Sequence, residues 1–405
     1  MSPVRFLKEA SVFAVKAALL FDHFGPYHQA RLRAAAEGME VVGVEFHPRS
    51  RDYAWEPARL GVLPLVSVPP TKSEGPEAAR EFQGVLEKTL EEIQPEVVAI
   101  PGWASREALV ALSWCLRQGV PTILMSESCA HDEVRVGWKE WVKRRIIDCH
   151  SAALAGGTLH ARYLKLLGMG EDQISLGYDA VDNAWFAEQG PRLRRSLDSS
   201  QEPCFLASAR FIPKKNISRL LTAYAAYRQV CGDAKPWRLV LLGDGELRGE
   251  VEKQVHELGL RPFVSMPGFL QYEELPCYYA RASAFIHAST TEQWGLVVNE
   301  AMASGLPVLV SNRCGCAEDL VEEGINGFTF DPEDVQGMTA VMGRMAALPE
   351  DKLRQMGRES ERIIADWGPA RFAEGMRQAA ITALKTGAKK PSLVDRVLLK
   401  ILMSR

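Results

Sequence analysis

Short apolar runs alternate with longer amphipathic stretches almost from end to end of this 405-residue chain. A short run that is apolar at nearly every position suits a strand covered on both faces. A 3.6-residue period over about ten residues or more suits a helix laid across that strand. The alternation therefore predicts a doubly wound α/β architecture with parallel sheets. In the first half the expected strands are Val15–Phe21, Val41–Phe46, Leu63–Val68, Val97–Pro101, Pro121–Met125 and Ala152–Ala155, with helices at Tyr27–Glu37, Glu77–Ile93, Arg106–Gln118 and Val136–Ile147. The pattern then restarts, with strands expected at Cys204–Ser208, Arg238–Leu242, Phe263–Met266, Ala284–His287, Pro307–Val310 and Gly327–Phe330.

Between the halves, Gln189–Pro203 is polar and carries Gly190, Pro191, Ser199, Ser200 and Pro203, which reads as a hinge. The expected domains are 1–188, a hinge at 189–203, 204–366, a helix at 367–385 and a tail at 386–405. Two such halves enclose a cleft at the C-terminal ends of their strands, where open α/β sheets bind ligands.

Composition narrows the function. Hydrophobic residues at 47% and charged residues at 24% are globular values, and a net charge of −3 gives no reason to expect a nucleic-acid binder. The eight cysteines are scattered, mostly in apolar stretches, as reduced core residues would be, and no second close pair joins Cys314 and Cys316 in a zinc site. Arg5 and Lys8 precede the apolar Val12–Phe21 in the manner of a signal peptide. Lys16 interrupts that stretch, so it is taken as the approach to the first strand of a cytoplasmic protein.

The richest chemistry lies in Ser289-Thr290-Thr291-Glu292-Gln293-Trp294-Gly295-Leu296-Val297-Val298-Asn299-Glu300-Ala301-Met302-Ala303-Ser304-Gly305-Leu306-Pro307-Val308. Here a strand runs into a turn and then a helix. The free N–H groups of the first helical turn suit an anion, and two carboxylates suit neighbouring hydroxyls. Read alone, Glu292 could instead be a helix cap and Glu300 a solvated helix residue. Gly243-Asp244-Gly245 also follows a strand and opens a helix. There is no Gly-x-Gly-x-x-Gly after the first strand, no P-loop, and no Asp-x-Asp to hold a divalent metal on a diphosphate.

Two glutamates with seven residues between them, followed by Ala-Met-Ala-x-Gly-x-Pro-Val, resemble the signature of the retaining glycosyltransferases of family four, the group 1 glycosyl transferases. Ala209-Arg210-Phe211-Ile212-Pro213-Lys214-Lys215-Asn216, Leu242–Leu247, Pro267–Leu270 with Glu273–Leu275, and Gly177–Phe186 resemble further segments of the family in the same order. The resemblance is specific over roughly residues 174–330. It implies two Rossmann-like domains facing a cleft (the GT-B fold), a nucleoside-diphosphate sugar held mainly by the C-terminal domain, and no cofactor or metal.

The resemblance also implies roles. Arg210 and Lys215 would bind the donor diphosphate, Glu300 the ribose hydroxyls and Glu292 the sugar hydroxyls. The N–H groups of Trp294, Gly295, Leu296 and Val297 would face sugar and phosphate, Gly243 would form a donor-side turn, and Gly268 and Leu270 would lie around the base. Two departures stand out. One glycine, Gly25, follows the first strand where relatives usually have two; it is the candidate for close approach to the diphosphate, with a simple turn glycine as the alternative. Ser126-Glu127-Ser128 stands where many relatives carry a histidine near the reacting carbon. Glu127 is the substitute candidate, against a helix-capping role. His23 and His28 are secondary candidates, each weighed against a structural role, and His131 comes a little late in the sequence for the family's histidine.

The expected function is retaining, metal-independent sugar transfer to a hydroxyl of a glycan or lipid-linked acceptor. The alternatives are an idle GT-B binding module, or an epimerase or phosphorylase of the same architecture. The segment Lys385–Arg405 carries six cations against Asp395, together with Leu393, Val394, Val397, Leu398, Leu399, Ile401 and Leu402. Two readings stay open for it: peripheral contact with the inner membrane leaflet, or a helix packed on the N-terminal domain.

Overall fold

The computed structural model describes residues 15–48, 64–69, 71, 75–196, 202–231 and 235–404. Arg5, Lys8 and Val12, the hinge residues 197–201, and Arg405 of the tail lie outside them.

Seven strands form the first sheet: β1 (Lys16–Phe21), β2 (Glu40–Glu45), β3 (Leu65–Ser67), β4 (Val97–Pro101), β5 (Thr122–Ser126), β6 (Ala152–Ala155) and β7 (Ile174–Leu176). Their order is β3-β2-β1-β4-β5-β6-β7, and each neighbouring pair is parallel. The second sheet holds β8 (Cys204–Ser208), β9 (Arg238–Leu242), β10 (Val264–Gly268), β11 (Ala284–His287), β12 (Val308–Ser311) and β13 (Gly327–Phe330) in the parallel order β10-β9-β8-β11-β12-β13. The strand order reverses between β1 and β4 and again between β8 and β11, and each reversal opens a crevice beyond the carboxyl ends of the strands.

The helices of the first half are α1 (Pro26–Ala36), α2 (Gly75–Ile93), α3 (Arg106–Gln118), α4 (Gly137–Ile147), α5 (Thr158–Leu166) and α6 (Asn183–Ser196). Those of the second are α7 (Ile217–Val230), α8 (Arg248–Glu257), α9 (Leu275–Arg281), α10 (Leu296–Ala303), α11 (Ala317–Leu320), α12 (Val335–Ala346), α13 (Glu350–Ala365), α14 (Pro369–Thr386) and α15 (Leu393–Met403). The central strands are covered on both faces. Ala17, Ala18, Leu19 and Leu20 of β1 are fully buried, alternating between two separate clusters on either side of the sheet.

The structure departs from the sequence expectation at four places. Residues 189–196 do not form a loop, because α6 runs through Gly190 and Pro191 to Ser196. That helix packs on α9 and α10, with Phe186 buried among C-terminal-domain residues and Arg194 donating to the carbonyl of Ser304. The chain therefore enters the second domain at α6, before residue 188. The strand β7 and the helices α5 and α13 were also not anticipated. Part of the buried face of α13 is made of the small residues Gly357 and Ser360 beside Met356, Ile363 and Ile364. A Cβ at Gly357 would sit 2.1 Å from the carbonyl oxygen of Gly305, so close helix approach replaces side-chain bulk there.

After the second domain the chain returns to the first. Helix α14 packs on α1, β5, β6 and β7 through Phe372, Met376, Ala379, Ala380 and Ala383. Helix α15 then lies on α3 and α4. Its Ser392–Asp395 capping box is gripped by Arg145, which donates from Nε to Asp395 at 2.8 Å and from Nη2 to Ser392 at 2.9 Å. Packing on the N-terminal domain is thus observed for the tail. The opposite face of α15 leaves Leu393, Val394, Val397 and Ile401 exposed.

Candidate active site

Both sheets aim their switch-point loops into one cleft. On the C-terminal side, β8 runs through Arg210 into a tight 3-10 turn at Pro213–Lys215. Asn216 follows in the left-handed region and its side-chain amide donates to the carbonyls of Ala288 and Pro332 at 3.0 and 2.7 Å. Thr290 N–H donates to the Lys214 carbonyl at 2.9 Å. These bonds lace the loop after β8 to the loop after β11, bringing residues 77 apart in sequence into contact: Lys215 Nζ pairs directly with Glu292 Oε2.

Glu292 is almost fully buried. Its Oε2 also meets His287 Nε2 at 3.1 Å and accepts from Ser289 Oγ at 3.1 Å. Burial alone would raise its pKa, but the His287 bond and the Lys215 charge outweigh that and hold it well below the usual carboxylate range. Glu292 is thus an ionised carboxylate at any pH near neutral. His287 and Ser289 carried no motif and were not foreseen. Their places at i−5 and i−3 of Glu292, at the end of a buried strand, were the available signal.

Glu300 is held differently. It is fully buried in α10. Tyr27 Oη, from the first turn of α1 in the other domain, donates to Oε1 at 2.5 Å, and Tyr279 Oη donates to Oε2 at 2.6 Å. Burial pushes this carboxyl up to about 7, and the two phenol bonds oppose that only in part. The alternative of a solvated helix residue is therefore excluded. Tyr27 in turn packs edge-on to Tyr272 (5.9 Å), which stacks on Trp185 at 6.2 Å and 18°. Among the base-side candidates, Leu270 packs half-buried against the same core, and Gly268 ends β10 at φ +97°.

Gly243 is required by geometry. Its φ is +117°, a Cβ would lie 1.9 Å from the Ala209 carbonyl oxygen, and its N–H donates to Gly268 at 2.8 Å. Gly295, at φ +106°, opens α10, so Leu296 and Val297 sit in its first turn with no intrahelical acceptor for their N–H groups. The ring of Trp294 faces inward, donating from Nε1 to Asn299 at 2.8 Å and packing on Trp367 at 5.2 Å. The Cys314-Gly315-Cys316 turn backs this loop. A Cβ at Gly315 would meet the Gln293 carbonyl oxygen at 1.7 Å, and both cysteines are fully buried.

The N-terminal domain supports the loop from the other side. His160 Nε2 lies 2.8 Å from the Gln293 carbonyl oxygen, and Asp319 accepts from the Thr158 N–H (2.9 Å) and hydroxyl (2.5 Å). Glu127 follows β5, half-buried. Burial raises its pKa, and the charges it senses come from both domains: Arg31 and Asp132 on one side, Glu292 and Lys214 on the other. Arg31 is itself buried, donates to the Ala180 carbonyl at 2.9 Å and lies 3.6 Å from Asp179. Gly25 caps α1 in an extended conformation, its N–H donating to His28 Nδ1 at 3.1 Å, and the nearest atom to an added Cβ is 3.9 Å away. His28 packs on Phe21 at 4.7 Å with its pKa lowered by burial, which fits a structural role. Cys129, His131 and Asp132 offer ligand-type atoms within 4.8 Å of one another, a closeness that the Cys129 N–H to Asp132 turn produces by itself.

Two parallel-sheet domains meeting at their switch-point loops are the arrangement of the GT-B fold. Residues 191–362 match the family described as Glycosyl transferases group 1. Over 190 residues it is 33% identical to the sulfoquinovosyl transferase of Arabidopsis thaliana, covering 45% of this chain and 33% of that protein. Over 192 residues it is 29% identical to the alpha-monoglucosyldiacylglycerol synthase of Acholeplasma laidlawii, covering 46% and 47%. The matched segment thus spans less than half the length of these relatives. The fold extends further. HepE of Anabaena, solved with UDP and glucose, superposes with a TM-score of 0.71 over 90% of this chain and 98% of that one, at 18% identity. Sucrose-phosphate synthase of Thermosynechococcus elongatus does so with 0.67 over 90% and 98%, at 21% identity.

Proposed function

We propose that the protein transfers a sugar from a nucleoside diphosphate to an acceptor hydroxyl with retention of configuration and without a metal. The observation that carries this reading is the Lys215–Glu292 pair with Arg210 on the same loop. A lysine and an arginine can neutralise a departing diphosphate, while an ionised carboxylate beside them faces the sugar. The sugar C1–O bond to the diphosphate breaks, the acceptor oxygen bonds to C1 from the same face, and the acceptor proton passes to a diphosphate oxygen. Glu292 stabilises the positive charge that builds on the ring. Glu300 takes the ribose hydroxyls, and the N–H groups of Gly295, Leu296 and Val297 meet phosphate and sugar. The Glu127 carboxyl serves the acceptor side. A thermal-shift screen of nucleoside diphosphates and their sugars tests the donor assignment. A ligand at about 100 times its Kd adds roughly 2.7 kcal/mol, and a flat response to every diphosphate would refute the reading.

The acceptor is proposed to be lipid-linked and reached at an anionic membrane surface. No helix of the described residues is long and apolar enough to cross a membrane. The outward stripe of α15 (Leu393, Val394, Val397, Ile401) is flanked by Arg396 and Lys400. Trp138 and Trp141, also exposed, share a face of α4 with Arg145, the residue that holds the start of α15. Aromatic and aliphatic side chains beside cations suit an interfacial site. Replacing Leu393, Val397 and Ile401 by Ser keeps the packed face of α15 and is expected to abolish binding to phosphatidylglycerol vesicles. Unchanged binding would remove the membrane from the proposal.

A further inference from the structure

Glu300 presents a conflict between its proposed task and its surroundings. A carboxylate that receives two ribose hydroxyls must present free lone pairs to the ligand. Here Oε1 already accepts from Tyr27 and Oε2 from Tyr279, and the residue has no exposed surface. The two phenols are not equivalent. Tyr279 belongs to α9 and packs on Phe186 and Phe285 inside the C-terminal domain, so it stays with Glu300 whatever the other domain does. Tyr27 is carried by α1 of the N-terminal domain, 273 residues away in sequence.

From this geometry we infer that Tyr27 is an intramolecular competitor of the donor: its phenol occupies the ribose position on Glu300 when no nucleotide is bound and must be displaced when one arrives. The inference rests on the proposed role of Glu300. A phenol O–H and a sugar O–H make the same kind of bond to a carboxylate oxygen, so one can replace the other without stranding the buried group. Pro26 fixes the start of α1, and Tyr27 packs edge-on to Tyr272, so the phenol is held ready in place rather than swinging freely.

The consequence is directional. Because Tyr27 and Glu300 lie on different domains, nucleotide entry breaks a contact across the cleft, and nucleotide departure restores it. After transfer, the returning phenol competes with the product diphosphate and so limits product inhibition. Tyr27 is a positioning residue here and touches no reacting atom.

Isothermal titration with UDP, GDP and ADP first finds the diphosphate that binds tightest. That diphosphate and its 2′,3′-dideoxy form are then titrated into wild type, Tyr27→Phe and Glu300→Ala. Tyr27→Phe keeps the ring contact with Tyr272 and removes only the hydroxyl. At pH 8, where Glu300 is ionised, it is expected to bind the ordinary diphosphate roughly tenfold more tightly, the scale of one hydrogen bond to a charged group. It should show no such gain for the dideoxy form, which cannot use Glu300. Product inhibition of transfer should strengthen in parallel. Unchanged or weaker binding, or an equal gain for both nucleotides, would overturn the inference. Glu300→Ala separates the two levels of the argument. If it weakens the ordinary diphosphate while Tyr27→Phe changes nothing, only the competitor role fails. If Glu300→Ala has no effect, the ribose assignment itself is wrong and the role of Tyr27 falls with it.

Discussion

Removing Lys215 should do more harm to folding than its position in a loop suggests. The side chains of Lys215 and Glu292 are about one-tenth exposed, 10% and 11%, so solvent screens their pairing little. Lys215→Met leaves Glu292 buried with only His287 and Ser289 beside it. Stranding one partner of a buried pair costs about 3–5 kcal/mol, whereas replacing both by neutral groups of similar size is often close to neutral. Lys215→Met is therefore expected to destabilise the C-terminal domain by about 3 kcal/mol at pH 7, and Lys215→Met/Glu292→Gln to recover most of that loss. The pH dependence follows from the depressed Glu292 pKa. The pair stabilises the fold above the unfolded carboxylate range and loses that contribution as pH falls, so the penalty of the single variant should shrink in acid. Urea unfolding of wild type, Lys215→Met, Glu292→Gln and the double variant at pH 7 and pH 4 measures the cycle. Activity should be lost in all three variants. Additive stability effects, with no recovery in the double variant, would refute the claim that these two residues form a buried, mutually dependent pair.

Other positions give sharper single readings. Burial raises Glu300 to about 7, so folded wild type holds a proton that the unfolded chain releases between pH 4.5 and 7. Its stability should fall across that window by about 3 kcal/mol, and Glu300→Gln should lack this slope in pH-dependent unfolding. Glu127→Gln should lower turnover at least about tenfold without lowering the melting temperature, because a neutral amide escapes the burial penalty that raises this carboxyl; a variant that simply unfolds would make Glu127 structural. Gly243→Ala must move the loop that carries Arg210 and should cost at least about 2 kcal/mol. Gly268→Ala, where the nearest atom to an added Cβ is Arg248 Nη1 at 3.7 Å, should cost less, and equal losses by calorimetry would contradict the close-approach argument.

The sheets were legible because a parallel strand covered on both faces must be apolar throughout, and no surface requirement competes with that pattern. All six strands of the second sheet lie within two residues of their expected positions. What escaped was structure carried by small or ambiguous residues. The face of α13 is partly glycine and serine, β7 is only three residues long, and α6 continues through a Gly-Pro pair that normally signals a break. The candidate site divides in the same way. Glu292, Glu300, Lys215 and the glycines each sit in a short motif of their own stretch of sequence. Tyr27, His160, Thr158 and Asp319 reach the same cleft from far along the chain, and only the docking of two domains brings them there. The tail was ambiguous for a physical reason. One face of α15 answers the N-terminal domain and the other answers solvent or a membrane, and an apolar count cannot separate the two.

The two glutamates test the central claim most directly, because their proposed tasks differ. Titrating the free nucleoside diphosphate, which carries the ribose and lacks the transferred sugar, into wild type, Glu300→Ala and Glu292→Gln separates those tasks when paired with turnover of the complete donor. At pH 8, above the raised Glu300 pKa of about 7, Glu300→Ala should weaken diphosphate binding by roughly ten- to a hundredfold, the loss of a charged acceptor for two hydroxyls, and should raise the donor KM. Glu292→Gln should bind diphosphate nearly as wild type does and lose kcat, since its carboxylate acts on charge that develops only as the diphosphate departs. If both variants bind diphosphate normally and turn over normally, this cleft is not the site of sugar transfer.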